Sequence, residues 1–114
     1  MMDEEILTFK LTDTQRDMVM SVRRLAQQRF KDRWQQWQDG TFPWENMRDL
    51  AEIGVLSMSV PKAYGGLELS VLDAALVLEE IAKVCYVTAM AALGEVGTQT
   101  RMIAHFAPEN IKQD

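Results

Sequence analysis

Two adjacent carboxylates, Glu79 and Glu80, are by type the residues of this chain best suited to proton transfer, since paired carboxyls in different environments can divide acid and base roles. Their neighbours argue against it. Lys83 lies four residues from Glu79 and three from Glu80, spacings at which side chains meet on a helix surface. The pair is therefore expected in a solvated ion-pair strip, and neither is nominated as a catalytic base. His105 follows Arg101 by one turn near a helix carboxyl end, where the helix dipole favours a cation, and that role suffices to explain it. Cys85 has no adjacent His or Lys to lower its pKa, which predicts a small buried thiol and not a nucleophile. Gly65-Gly66 lacks the strand, glycine spacing and lysine of a phosphate loop and reads as a turn.

Other chemistries are closed by counting. One cysteine and one histidine allow neither an internal disulfide nor a His/Cys zinc site, and the carboxylates have no spacing that supports a metal. A net charge of −5 with dispersed Lys and Arg gives no nucleic-acid footprint. The longest apolar-rich run, Val84 to Leu93, is interrupted by Thr88 and falls far short of the roughly 20 residues a membrane span needs. The chain opens Met-Met-Asp-Glu-Glu, acidic where secretory signals are basic and transit peptides acid-poor, so a cytoplasmic protein, or a mature form already trimmed, is expected. Trp34, Trp37 and Trp44 are assigned to core or interdomain packing, and Met18, Met20, Met47, Met58 and Met90 to gap-filling.

The elements that must position these residues are all helical. Thr12 with Gln15 forms a capping box, and Met18, Val19, Val22, Leu25, Ala26 and Phe30 recur at offsets of three and four, predicting a helix from 13 to about 34. Pro43 suits a first helical position, so a second helix is predicted over Pro43 to Ile53, with Met47, Leu50, Ala51 and Trp44 as its buried face and Gly54 as its left-handed stop. Val55 to Val60 should be extended, because the residue before Pro61 is pushed out of the helical region. Gly65-Gly66 then turns the chain. Ser70 with Asp73 caps a third helix to about Val84, whose charges Asp73, Glu79, Glu80 and Lys83 fall within about 120°, leaving only a narrow strip to water. A fourth, Val87 to Phe106, sets Thr88, Glu95, Thr98, Gln99, Arg101 and His105 against an apolar arc of Ala89, Met90, Ala92, Leu93, Val96, Gly97, Ile103 and Ala104. Pro108 starts a further helix of barely one turn. The fold class is all-α, an up-and-down bundle of about four helices plus a truncated fifth, in one domain over residues 1–114.

Pro61-x-x-Tyr64-Gly65-Gly66, followed by Glu79-Glu80-Ile81-Ala82, resembles the amino-terminal helical domain of the acyl-CoA dehydrogenase flavoproteins. Thr12 to Gln15, Phe42-Pro43 and Leu50-Ala51-Glu52-Ile53-Gly54 fall where that family has them, so the resemblance covers essentially the whole chain. It implies a larger enzyme with a middle β domain and a carboxy-terminal helical bundle, both absent from this chain. It further implies FAD as cofactor, an acyl-CoA substrate, an electron-transfer flavoprotein as partner, and a homo-oligomer. The base and the principal flavin ligands would lie outside these residues, so the chain alone is expected to bind no FAD and to be inactive. Its share would be part of the wall around the acyl chain, which alignment on Glu79-Glu80 and Cys85 puts at Ala89, Met90, Leu93 and Gly97. With no cation on that arc, a plain alkyl thioester is expected over a charged one. Bulky Tyr86 stands where small residues are frequent in the family. An acyl-CoA oxidase or flavin monooxygenase on the same framework, or a stand-alone helical interaction module, are the alternatives. A domain without its neighbours should also expose an apolar patch along Ala89, Leu93, Val96 and Gly97, or hide it by self-association.

Overall fold

The Thr12 hydroxyl accepts the amide of Gln15 at 3.1 Å while the Gln15 side chain accepts the Thr12 amide at 2.9 Å, so the first capping box forms as its spacing predicts. The computed structural model describes residues 10–114; the acidic opening residues lie outside them. Helix α1 is Asp13–Gln28, with Val19, Val22 and Ala26 buried. It stops short of the expected residue 34. From Arg29 the chain tightens into two 3₁₀ turns, Phe30–Asp32 and Trp34–Trp37. That break lets Phe30 enter the core while Arg29 and Arg33 both reach Asp49, at 2.7 and 2.8 Å.

Helix α2 is Trp44–Glu52, with Pro43 one position earlier than expected, at the cap. Met47 and Leu50 are buried as expected, whereas Ala51 and Trp44 are exposed and the polar Asn46 and Asp49 take their place inside. Gly54 ends the helix in the left-handed region, φ 86°. The predicted extended stretch after it is instead a 3₁₀ turn over Val55–Ser57. Val55 and Met58 are both buried, and a three-residue turn brings positions i and i+3 to one side. Carbonyls of Ser57, Met58 and Val60 then accept the amides of Leu67, Leu69 and Glu68, folding the Gly65-Gly66 loop back on the segment before it.

Helix α3, Val71–Ala82, starts from the Ser70–Asp73 capping box. Helix α4, Tyr86–Leu93, continues through a π-helical turn, Gly94–Gln99, into α5, Thr100–Phe106, and Pro108 restarts the short α6, Glu109–Lys112. Among the described residues there is no strand, so the domain is all-α as expected. Helix α3 packs against α1 on one side and α4 on the other, and α2 supports α4. Phe30, Leu50, Met58, Val77 and Ile81 form the centre of one core. The domain measures 40 × 40 × 19 Å, about two helix diameters in its thin direction. Such a slab leaves outer helix faces uncovered: Val71, Leu72 and Ala75 of α3 are exposed, contrary to the narrow solvent strip expected there.

Candidate functional site

Tyr86, Met90 and Leu93 form an outward row on α4, with 68%, 47% and 41% of their surfaces exposed. Helical spacing of three and four aligns them, and the half-buried Gly97 follows one turn on. A side chain at Gly97 would begin 3.1 Å from Leu93 Cδ1, so glycine there leaves room for the leucine to lie flat. The relief is shallow and apolar. Of the four residues expected to act together, Met90 and Leu93 share this row and Gly97 adjoins it. Ala89 does not: it is only 7% exposed and faces the core. Val96, expected in the exposed patch, is buried as well. Tyr86, noted in sequence only as a departure, belongs to the row.

Thr88 corrects the expected polar side of this helix, because it is fully buried while Glu95, Thr98 and His105 lie nearer to solvent. Its hydroxyl accepts the Asn46 side-chain amide at 2.9 Å and lies 3.1 Å from the Cys85 sulfur. Asn46 in turn accepts from Arg33 at 3.0 Å. A polar chain thus runs from the surface ion pairs of Arg33, through α2, to the buried side of α4. Cys85 is a buried free thiol, as expected. Asn46 and Asp49 were missed in sequence. Their offsets from Met47 and Leu50 on a short amphipathic helix are the signal that could have found them.

Glu79 and Glu80 separate. Glu79 stays exposed near Lys83, at 3.8 Å, whereas Glu80 is buried between Arg23 at 2.8 Å and Lys83 at 2.9 Å, not in the solvated strip expected for both. The hydrogen bond from Arg23 outweighs burial and, with Lys83, holds the Glu80 carboxyl below its usual range. A general base working near neutral pH needs the opposite shift, so Glu80 is a structural anion. His105 is exposed beside Phe106. Trp37 packs against the core, while Trp34 and Trp44 are exposed, Trp44 stacking at a tilt on Phe42 with ring centres 4.6 Å apart. Tyr64 donates its hydroxyl to Glu109 at 2.8 Å, tying the glycine loop to α6. Among the described residues no cluster of His, Cys, Asp and Glu could hold a metal ion, and no helix is long and apolar enough to cross a membrane.

The family model described as acyl-CoA dehydrogenase, N-terminal domain, matches residues 12–114. The chain belongs to the acyl-CoA dehydrogenase family. Among its relatives, the 3-sulfinopropanoyl-CoA desulfinase of Variovorax paradoxus is 36% identical over 91% of this chain and 27% of its own length. The cyclohex-1-ene-1-carbonyl-CoA dehydrogenase of Geobacter metallireducens is 34% identical over 87% of this chain and 26% of its own. A probable acyl-CoA dehydrogenase of Escherichia coli K12 is 33% identical over 68% of this chain and 21% of its own. The chain therefore spans about a quarter of the length of the curated relatives it matches.

Proposed function

We propose that this chain is the amino-terminal helical domain of an FAD-dependent acyl-CoA dehydrogenase, in which Met90, Leu93 and Gly97, with Ala89 behind them, form one wall of the acyl site. The observation that carries this reading is the exposed apolar row of α4, held outward while the same helix packs its other side into the core. Apolar surface presented in a row gives an alkyl chain a face to lie along without fixing its identity.

No flavin ligand is proposed among the described residues. The Gly65-Gly66 turn, the closest thing to a phosphate cradle, has the Val60 backbone packed where a Gly66 side chain would begin. FAD, the base that removes the α-proton and the contacts to an electron-transfer flavoprotein are therefore assigned to other parts of a longer, cytoplasmic homo-oligomer, and the 114-residue chain is inactive alone.

A plain acyl thioester is the proposed substrate class. A sulfinate is an anion, and burying one without a cation or several N–H donors is costly. The run from Val84 to Thr100 contains no Lys or Arg, so this wall offers no cation to a sulfinate such as that named in the 3-sulfinopropanoyl-CoA relatives.

The test is a chain-length series. In the protein expressed from its natural reading frame, Leu93→Trp should lower kcat/KM for long acyl-CoA thioesters by about tenfold relative to short ones, because added volume in an apolar pocket is rejected sterically. Equal loss on all lengths would mean that Leu93 only supports the core.

A further inference from the structure

We infer that the Asn46–Thr88 hydrogen bond sets the rotation of α4 about its own axis, and so decides which side of that helix faces outward. Burial of apolar surface alone does not favour this rotation. Of the eight residues of α4, the three alanines lie within about 100° of Thr88, the one residue with a hydroxyl on an aliphatic side chain, while Val87, Met90 and Leu93 share an arc of about 120° on the opposite side. The alanine side that faces inward has less apolar surface to bury than the side it leaves outward. A buried hydroxyl and amide do favour it, since either one turned away from its partner would be desolvated and unpaired.

The pairing is specific in direction. Arg33 has only donors, so the Asn46 oxygen must face it, which leaves the Asn46 NH₂ to point at Thr88. Arg33 is fixed independently through Asp49 at 2.8 Å. The chain of bonds thus transmits a position from the surface of the domain to one point on α4. At 100° per residue, Tyr86, Met90 and Leu93 lie between about 140° and 200° from Thr88, and Ala92 lies about 40° from it. Holding Thr88 inward therefore holds the apolar row outward and Ala92, which has no exposed surface, inside. The two residues are positioning residues. The rotation stands on the hydrogen-bond and burial geometry; only its consequence for acyl selectivity rests on the proposed function.

Thiol labelling of the whole chain decides it. With Cys85 buried as a slow background, a cysteine introduced by Leu93→Cys should react rapidly and one introduced by Ala92→Cys slowly. Adding Thr88→Val, alone or with Asn46→Leu, should narrow that contrast by about fivefold to tenfold, the population change a single net hydrogen bond supports. Asn46→Leu with Thr88→Val should nevertheless melt higher than Thr88→Val alone, because no buried amide is left unpaired and Arg33 keeps Asp49. Thr88→Ser, which retains the hydroxyl, should leave the contrast intact. If both valine variants keep the full contrast, or if Thr88→Ser loses it as Thr88→Val does, shape and not the hydrogen bond orients α4 and the inference falls. Loss of contrast in a protein whose chain-length preference is unmoved by Leu93→Trp would retire the acyl-wall reading while leaving the rotation claim standing.

Discussion

Arg23 on α1 holds Glu80 on α3 through two nitrogens, Nε to Oε2 at 3.0 Å and Nη2 to Oε1 at 2.8 Å. The planar guanidinium matches both carboxylate oxygens, and the pair joins two helices that also share the core. A carboxyl whose folded pKa is depressed contributes its full stability above the unfolded value, about 4.3, and loses it as pH falls through that value toward the folded one. Glu80→Gln should lower stability by about 1–3 kcal/mol at pH 7. The gap should close in acid, where wild type loses the bond too. Denaturant unfolding at pH 7 and pH 3 measures it; an equal gap at both would mean that the charge is not what matters.

The two glycines of the loop should fail differently. Gly65 has φ 86°, which a side chain resists, so Gly65→Ala should cost about 1 kcal/mol. Gly66 has ordinary φ, but a Cβ there would collide with the Val60 carbonyl and Cβ, and backbone cannot step aside as a flexible side chain can. Gly66→Ala should cost more than Gly65→Ala, about 2 kcal/mol or above. Melting curves that rank them the other way would show that the loop relaxes around the added methyl.

Ser70→Ala should cost about 1 kcal/mol through the lost cap. Asp73 is held at this cap from three directions: its Oδ2 accepts the Ser70 amide and hydroxyl, both at 2.8 Å, and its Oδ1 accepts the Gln15 side-chain amide, also at 2.8 Å. Gln15 therefore caps α1 and touches the cap of α3, so Gln15→Ala and Ser70→Ala should be non-additive in a double-mutant cycle. Strict additivity would make the two caps independent.

The isolated chain should associate with itself. Tyr86, Met90 and Leu93 on α4 and Met102, Ile103 and Phe106 on α5 all remain exposed, and large apolar side chains grouped on two successive helices favour association. Sedimentation should give a mass above the 13.0 kDa of one chain, falling toward it in Leu93→Ser with Phe106→Ser. A monomer that binds no hydrophobic dye would remove this expectation.

Local signals were legible in sequence because local chemistry decides them. The caps at Thr12 and Ser70, the left-handed Gly54, the turn at Gly65-Gly66 and the Lys83 pairs with Glu79 and Glu80 all depend on residues within a few positions. What was not legible depends on partners far away in the chain. Glu80 reads as a surface residue until Arg23 is brought beside it, and Thr88 reads as polar surface until Asn46 is. The shortfall of α1 has the same origin, since Asp49 draws Arg29 and Arg33 together across the break. On α4 the wheel gave two of the outward residues, Met90 and Leu93. It put Ala89 and Val96 outward because it expected the whole apolar arc to lie uncovered, whereas the buried Thr88 carries the near side of that arc into the core.

The π turn at Gly94–Gln99 closes one residue later than an α turn would, so everything after it is rotated by about 100° relative to an unbroken helix. Met102 and Phe106, which an unbroken helix would set within about 40° of the inward Thr88, are turned away from that side, and both are exposed. A single codon gained or lost within this turn would swing α5 by that angle while the helix axis stayed where it is. Inheritance thus has, at this one place, a means of re-aiming half a helix in one step, without a substitution in either half.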